Sequence, residues 1–439
     1  MSKEIRILFE PVSSGLWHIM NCLSIADELK KEGFRISFAL SQRNCEFVEK
    51  NGYKRVYPLA EREVTLDFIR KLQAWSESRY IQQCLEQELK VIEDFKPHLI
   101  ISDGRYTAGI SARAANIPWA SINMIYNLPQ GQKAALDVIE RVKKEDLQGF
   151  KEWLKAVFDP KAGISDFSFQ HLSMLTSKFA DNFHPFLSHY NLPLIRNVYE
   201  LLVSPSLCLL PYFPALTGIT DIPDNAKYVG PLAGIKSPTL NEEEYQFSTS
   251  ESYGSFSKYN LKINSNIPTI FVSFGGALDA ILCKKLIGEV IEAFNNTEFQ
   301  VIISTSGKDV EVEPASNIQI TSYVPSSILF RLKNIIVICH GGIGILMNAL
   351  AFGIPSLSIP VSLEHLGSSH RIKELGAGLW MYPHKLNPQI LYKMIKILFD
   401  KATYKDSAKE LQRAIRGYDG AKVAVGALKE FMIKENILS

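Results

Sequence analysis

The run ICHGGIGILMNALAFGIPSLSIP at 338–360 restricts the fold more than any other part of the chain. The apolar segment NIIVIC (334–339) reads as a buried strand that ends at His340. Gly341, Gly342 and Gly344 then make a tight turn, an apolar helix follows from about 343 to 352, and Gly353 and Pro355 stop it before a further strand at 355–360. Strand, glycine turn, helix and strand is a βαβ unit, which demands parallel pairing and a right-handed crossover. Glycines at the start of a helix leave its first N–H groups and the positive end of its dipole open to a phosphate, and His340 at the strand tip adds a donor.

The same rhythm recurs along the chain. EIRILFE (4–10) reads as a strand and Ser13-Ser14-Gly15 as a turn. Ile19, Cys22, Leu23, Ile25, Ala26 and Leu29 fall at helical spacing up to Gly33, and RISFAL (35–40) is the next strand. Further strands are expected at 98–102, 118–125, 207–212 and 227–232, with a charged amphipathic helix around 80–94. A second series begins at 268–274 and ends in Gly275-Gly276; a helix runs through Leu286 and Val290 to Phe294, and strands follow at 299–304 and 318–323. A chain of 439 residues exceeds one ordinary core, so two domains of roughly 200 residues each are expected. The first spans 1–235 and carries a helical, aromatic insertion at about 130–205, in which 134–157 reads as an amphipathic helix. A polar linker covers 236–264 and the second domain 265–402. One or two amphipathic helices fill 403–439 and could cross back to the first domain.

Composition removes several function classes. The formal net charge is only +2 and no basic stripe interleaves with aromatics, so nucleic acid is not an expected partner. The 6 cysteines are scattered without a CxxC pair, which predicts buried reduced thiols rather than a metal site. The N-terminus MSKEIRILFEP lacks a signal-peptide pattern, and no apolar run is long enough to span a membrane, so a cytoplasmic protein without a transmembrane segment is expected.

The 338–360 block, together with YVGPL at 228–232, VSFGG at 272–276 and YVPSSILF at 323–330, resembles the UDP-glycosyltransferase superfamily. These are the family 1 type enzymes of GT-B fold that glycosylate macrolides, other natural products and lipophilic small molecules. His340, Gly341, Gly342, Gly344, Ala349, Leu350, Gly353, Pro355 and Pro360 match its donor signature. The resemblance implies an α/β architecture of two Rossmann-like, doubly wound parallel-sheet domains facing a cleft. The donor would be a UDP- or dTDP-sugar, which is a co-substrate, and no cofactor is needed. His340, the amides after it and the turn at Gly275 and Gly276 would hold the diphosphate. Tyr323 and Val324 would border the base, with Tyr323 stacked on it.

The chain departs from the family pattern at three donor positions. Ile345 stands where a phosphate-bonding Thr or Ser is usual. Asn348 replaces the Glu that holds the ribose hydroxyls, and Glu364-His365 replaces the Asp-Gln that reads the sugar.

By the same resemblance, His18 would be the general base that deprotonates the acceptor, with Asp103 behind it. In the family the base begins a His-x-x-Pro pattern; here Asn21 takes the Pro position. A helix N-terminus disfavours imidazolium, which predicts a neutral His18, and a carboxylate at a strand end is the partner such a base needs. A helix cap for His18 and a simple turn at Asp103-Gly104 are the structural alternatives.

The reaction implied is inverting, metal-independent transfer to a hydroxyl of a small, lipophilic or aromatic acceptor, and no Asp-x-Asp pair occurs in the chain. An auxiliary protein with an altered donor site and a nucleotide-sugar epimerase of the same fold are the two alternatives. Oligomeric state is not legible.

Overall fold

The first strand, β1 (Arg6–Pro11), is buried on both faces. Ile7 and Phe9 pack on one side against α1 (Leu16–Lys31), through Ile19, Cys22 and Ile25. Leu8 packs on the other side, among Val91, Phe95, Ile100 and Trp119. A continuous apolar run covered on both sides is what a parallel sheet requires. The computed structural model describes residues 4–438 apart from 14–15, 55, 63–73, 158–175, 204–206, 233–260, 276–277, 279 and 309–313.

After α1 come β2 (Arg35–Ser41), α2 (Gln42–Lys50), β3 (Val56–Leu59), α3 (Ser78–Phe95), β4 (Leu99–Asp103), α4 (Ala108–Ala114) and β5 (Trp119–Ile122). Next are α5 (Pro129–Glu145) and α6 (Leu147–Val157), then β6 (Leu207–Leu210) and β7 (Ala226–Tyr228). The sheet runs β3-β2-β1-β4-β5-β6-β7 with every pair parallel.

The second sheet contains β8 (Thr269–Ser273), β9 (Gln300–Ser304), β10 (Ile318–Thr321), β11 (Ile335–Cys339), β12 (Ser356–Ser358) and β13 (Gly378–Trp380). Its order is β10-β9-β8-β11-β12-β13, again all parallel. Helices α7 (Ala280–Phe294), α8 (Ser326–Leu329), α9 (Ile343–Ala351), α10 (Leu363–Glu374), α11 (Pro388–Asp400) and α12 (Ala402–Arg416) belong with it. The last helix, α13 (Gly420–Lys434), packs Ala424 and Leu428 into the core of the first sheet. Both sheets are therefore Rossmann-like, each changing direction next to its first strand.

The chain divides into two compact units: Met1–Leu136, Phe158–Ala233 and Tyr418–Ser439 form one, and Asp137–Val157 with Gly234–Gly417 the other. The insertion expected in the first domain thus has 137–157 packed in the second unit. Its anchor is Trp153, fully buried, whose Nε1 donates to the Pro360 carbonyl at 2.8 Å. Ion pairs surround it: Arg141 with Glu374 at 2.7 Å, Lys373 with Glu145 at 3.0 Å, and Lys385 with Asp146. Such exposed pairs contribute at most about 1 kcal/mol each, so the tryptophan dominates. The 134–157 segment is two helices rather than one. Asp146 breaks it, and its Oδ1 accepts from the Gly149 N–H at 2.9 Å.

Other departures concern short edges. The sequence pattern did not reveal β3, which is four residues long and contains Pro58, or the three-residue β13. The expected strands at 118–125 and 227–232 shrink to Trp119–Ile122 and Ala226–Tyr228. Most of the 236–264 linker, like Ser14 and Gly15, lies outside the described residues.

One buried group stands out in the first unit. Glu10 on β1 is fully buried, and neither of its carboxyl oxygens has a partner among the described residues. Nearby, Arg105 Nε and Thr107 Oγ1 both donate to Glu88 Oε1 at 2.5 Å. Burial first, and then the Glu88 charge, raise the Glu10 pKa well above the usual carboxylate range, against an opposing pull from Arg105. An acid with a raised folded-state pKa binds more protons folded than unfolded, so stability falls as pH climbs above the unfolded value. Glu10→Gln should therefore raise Tm at pH 8 relative to the parent and leave it nearly unchanged at pH 4, as followed by thermal denaturation across pH.

Candidate functional site

In both units the candidate residues lie at the carboxyl ends of the strands, where open α/β sheets place their ligands. In the first unit, β1 gives way to Val12, whose N–H donates to the carbonyl of Asp103 at 2.8 Å, and so ties the loop to the end of β4. The next residue of β4's continuation, Gly104, has φ +71°, and a Cβ there would meet Val12 Cγ1 at 2.9 Å and His18 Cε1 at 3.4 Å. Glycine thus lets the Asp103 backbone sit directly against the His18 ring.

His18, in the first turn of α1, places Nδ1 at 2.6 Å from Asp103 Oδ1. Its side chain is 21% exposed, against 6% for the aspartate. A carboxylate accepts, so Nδ1 carries the proton and Nε2 becomes the basic nitrogen. The sequence reading treated Asn21 only as a departure from a pattern. In the structure its Nδ2 donates to Asp103 Oδ2 at 3.1 Å from a buried position. The signal was its spacing: residues three apart share one helix face. Both oxygens of Asp103 are held by one helix.

In the second unit, His340 follows β11 and its ring is enclosed by glycines. A Cβ on Gly275 would come within 2.9 Å of His340 Cε1, and one on Gly342 within 2.3 Å of His340 Nε2. Gly341 has φ +83°, and a Cβ there would strike Ser369 Oγ at 2.3 Å and the His365 carbonyl at 2.9 Å. The glycine turn is therefore seated on the first turn of α10, where Ser362 caps the His365 N–H at 3.2 Å. Gly342 is the N-cap of α9, and Gly344 lies in its first turn. Gly276 lies outside the described residues.

Burial pulls the His340 pKa down to about 4, with the Ser273 backbone opposing the fall and the Lys308 charge adding to it. At neutral pH this imidazole is uncharged, and it offers hydrogen bonds rather than a positive charge. Its Nδ1 has no hydrogen-bond partner among the described residues. His365 is 7% exposed and its ring stands edge-on to His340, with centroids 4.5 Å apart. That places it under the glycine turn, a supporting position. Glu364 precedes it in the first turn of α10.

Asn348 sits on α9 one turn beyond Gly344. Its Nδ2 donates to Ser326 Oγ at 3.4 Å, and its buried Oδ1 has no partner among the described residues. Ser326 opens α8 directly after the Tyr323-Val324 segment. Val324 is buried, whereas Tyr323 is 54% exposed. The Asn348–Ser326 bond thus ties α9, which begins at the glycine turn, to the helix that follows the Tyr323 loop. Among the described residues, no three His, Cys, Asp or Glu side chains form a group that could hold a metal ion, and no helix is long and apolar enough to cross a membrane.

Replacing Asn21 with Leu keeps its branched shape with somewhat more bulk and removes the donor. The expected cost is about 1–3 kcal/mol of unfolding free energy, with a ¹⁵N imidazole spectrum in which His18 no longer holds a single tautomer. An unchanged spectrum would show that Asp103 is held without Asn21.

Comparison with known proteins agrees with this architecture. Residues 288–417 match the family model of the erythromycin biosynthesis protein CIII-like C-terminal domain. A PGL/p-HBAD biosynthesis glycosyltransferase of Mycobacterium tuberculosis (strain ATCC 25177 / H37Ra) is 20% identical over 420 residues, spanning 94% of this chain and 89% of the relative. The glycotransferase of kitacinnamycin superposes with a TM-score of 0.70 at 16% identity, covering 98% and 99% of the two chains. The spinosyn rhamnosyltransferase SpnG complexed with thymidine diphosphate superposes with a TM-score of 0.61 at 15% identity, covering 96% and 99%. The chain has the GT-B fold and is similar over nearly its whole length to macrolide and natural-product glycosyltransferases.

Proposed function

We propose that the protein transfers a sugar from a nucleoside-diphosphate donor, a UDP- or dTDP-sugar, to a hydroxyl of a small lipophilic or aromatic acceptor, with inversion at the anomeric carbon and without a metal. The observation that carries this reading is the 2.6 Å contact between His18 Nδ1 and Asp103 Oδ1 at the strand ends of the first unit. A thymidine diphosphate complex of a structurally similar protein supports a nucleoside diphosphate as the donor's leaving portion.

The chemistry follows from the two sets of residues. His18 Nε2 takes the proton from the acceptor hydroxyl as its oxygen attacks the anomeric carbon. The bond from that carbon to the diphosphate oxygen breaks, and its electron pair leaves with the nucleoside diphosphate. The proton stays on His18, where Asp103 stabilises the imidazolium, the base-plus-carboxylate arrangement of hydrolytic triads. The N–H groups at the start of α9 and the neutral His340 hydrogen-bond the departing diphosphate, a fixed electrostatic contribution. Tyr323 stacks on the nucleobase and Val324 supports it from beneath. Asn348 bonds a ribose hydroxyl without the charge of a carboxylate, which forfeits roughly 1 kcal/mol or more.

Incubation with UDP- and dTDP-sugars and a panel of hydroxylated aglycones should release nucleoside diphosphate and form a glycoside. His18→Ala should lower kcat/KM by about 10²–10⁴-fold. Undiminished turnover in the alanine variant would remove His18 from the mechanism.

A further inference from the structure

The loop after β9 carries a lysine that the donor signature does not include. Lys308 Nζ donates to the carbonyl of Gly275 at 2.8 Å. Gly275 has φ +70° and lies against the His340 ring, where any side chain would come within 2.9 Å of Cε1. Lysine, glycine carbonyl and imidazole are therefore contiguous, and the lysine charge is felt at His340.

A departing nucleoside diphosphate gains negative charge as the sugar bond breaks. The groups already placed around the turn answer it incompletely. His340 is uncharged at neutral pH and adds a hydrogen bond but no charge. The start of α9 contributes about half an elementary charge. Ile345, in the first turn of α9, has no hydroxyl to offer. Lys308 carries a full charge on the adjoining loop.

We propose that Lys308 is the cation of the donor site, which binds the diphosphate of the nucleotide-sugar and stabilises it as the leaving group. This rests on the reading of the His340 turn as a nucleoside-diphosphate site and adds a residue to it. Lys308 acts through its charge. It takes no proton from the acceptor, and its effect falls on the diphosphate rather than on the base or the nucleoside.

Calorimetric titration of the full-length protein with UDP, dTDP, uridine and thymidine, at low and high salt, tests the assignment. Lys308→Gln can keep a hydrogen bond to Gly275 but loses the charge, whereas Lys308→Arg keeps the charge. The glutamine variant is expected to bind the preferred nucleoside diphosphate about tenfold or more weakly at low salt. Its salt dependence should be shallower, nucleoside affinity should be unchanged, and the arginine variant should retain most of the binding. Equal diphosphate affinity and salt dependence in parent and Lys308→Gln would overturn the proposal. So would equal losses for diphosphate and nucleoside, the mark of a lysine that only braces the Gly275 loop. A parent protein that binds no nucleoside diphosphate would instead sink the donor-site reading, and Lys308 with it.

Discussion

The carboxylate of Asp103 is the constraint on which the first unit's chemistry depends. It stands at the last position of β4, and its own carbonyl holds the loop that leads into α1. Its two oxygens accept from His18 and Asn21, which lie one turn apart on that helix. Two hydrogen bonds to one rigid acceptor fix both the depth and the rotation of the helix start. A single bond would leave the imidazole free to swing about it. Because both donors reach a mostly buried charge, each bond is of the stronger, charge-assisted kind. The result is an imidazole whose tautomer is chosen by the fold.

The second unit handles its histidine in the opposite way. Among the described residues, no carboxylate compensates His340. The surrounding protein desolvates it, and glycines on both sides admit the backbone to its ring. The contrast fits the two tasks proposed for them: a base must be able to hold a proton stably once it takes one, whereas a ring that only donates a hydrogen bond is better kept neutral. The same close approach explains why glycine recurs in the turn for different reasons. Gly275 and Gly341 need positive φ angles as well as space, while Gly342 needs only space.

Much of this was legible in the sequence because it follows from local pattern. Apolar runs bounded by turns located nearly every long strand, and the glycines after Cys339 marked the turn into α9. His18 and Asp103, 85 positions apart, were paired only through a family resemblance, and the fold brings them within hydrogen-bond distance. What escaped was of three kinds. Short edge strands such as β3 and β13 hold too few residues to show a period. Asn21 was visible as a substitution, but its role depends on a partner far away in sequence. The docking of 137–157 depends on Trp153 meeting the Pro360 carbonyl, and no local pattern encodes that meeting.

That last feature bears on how the polypeptide is made. The chain passes between its two compact units at four places, so neither is a continuous stretch that a single cut could release. Trp153 and its target are 207 positions apart. A ribosome needs roughly 10–40 s to cover that distance. Throughout that interval the amphipathic α5–α6 pair has emerged without the surface it covers in the finished protein. Its charged side chains Arg141, Glu145 and Asp146 meanwhile wait for Glu374, Lys373 and Lys385, the partners they pair with in the finished protein.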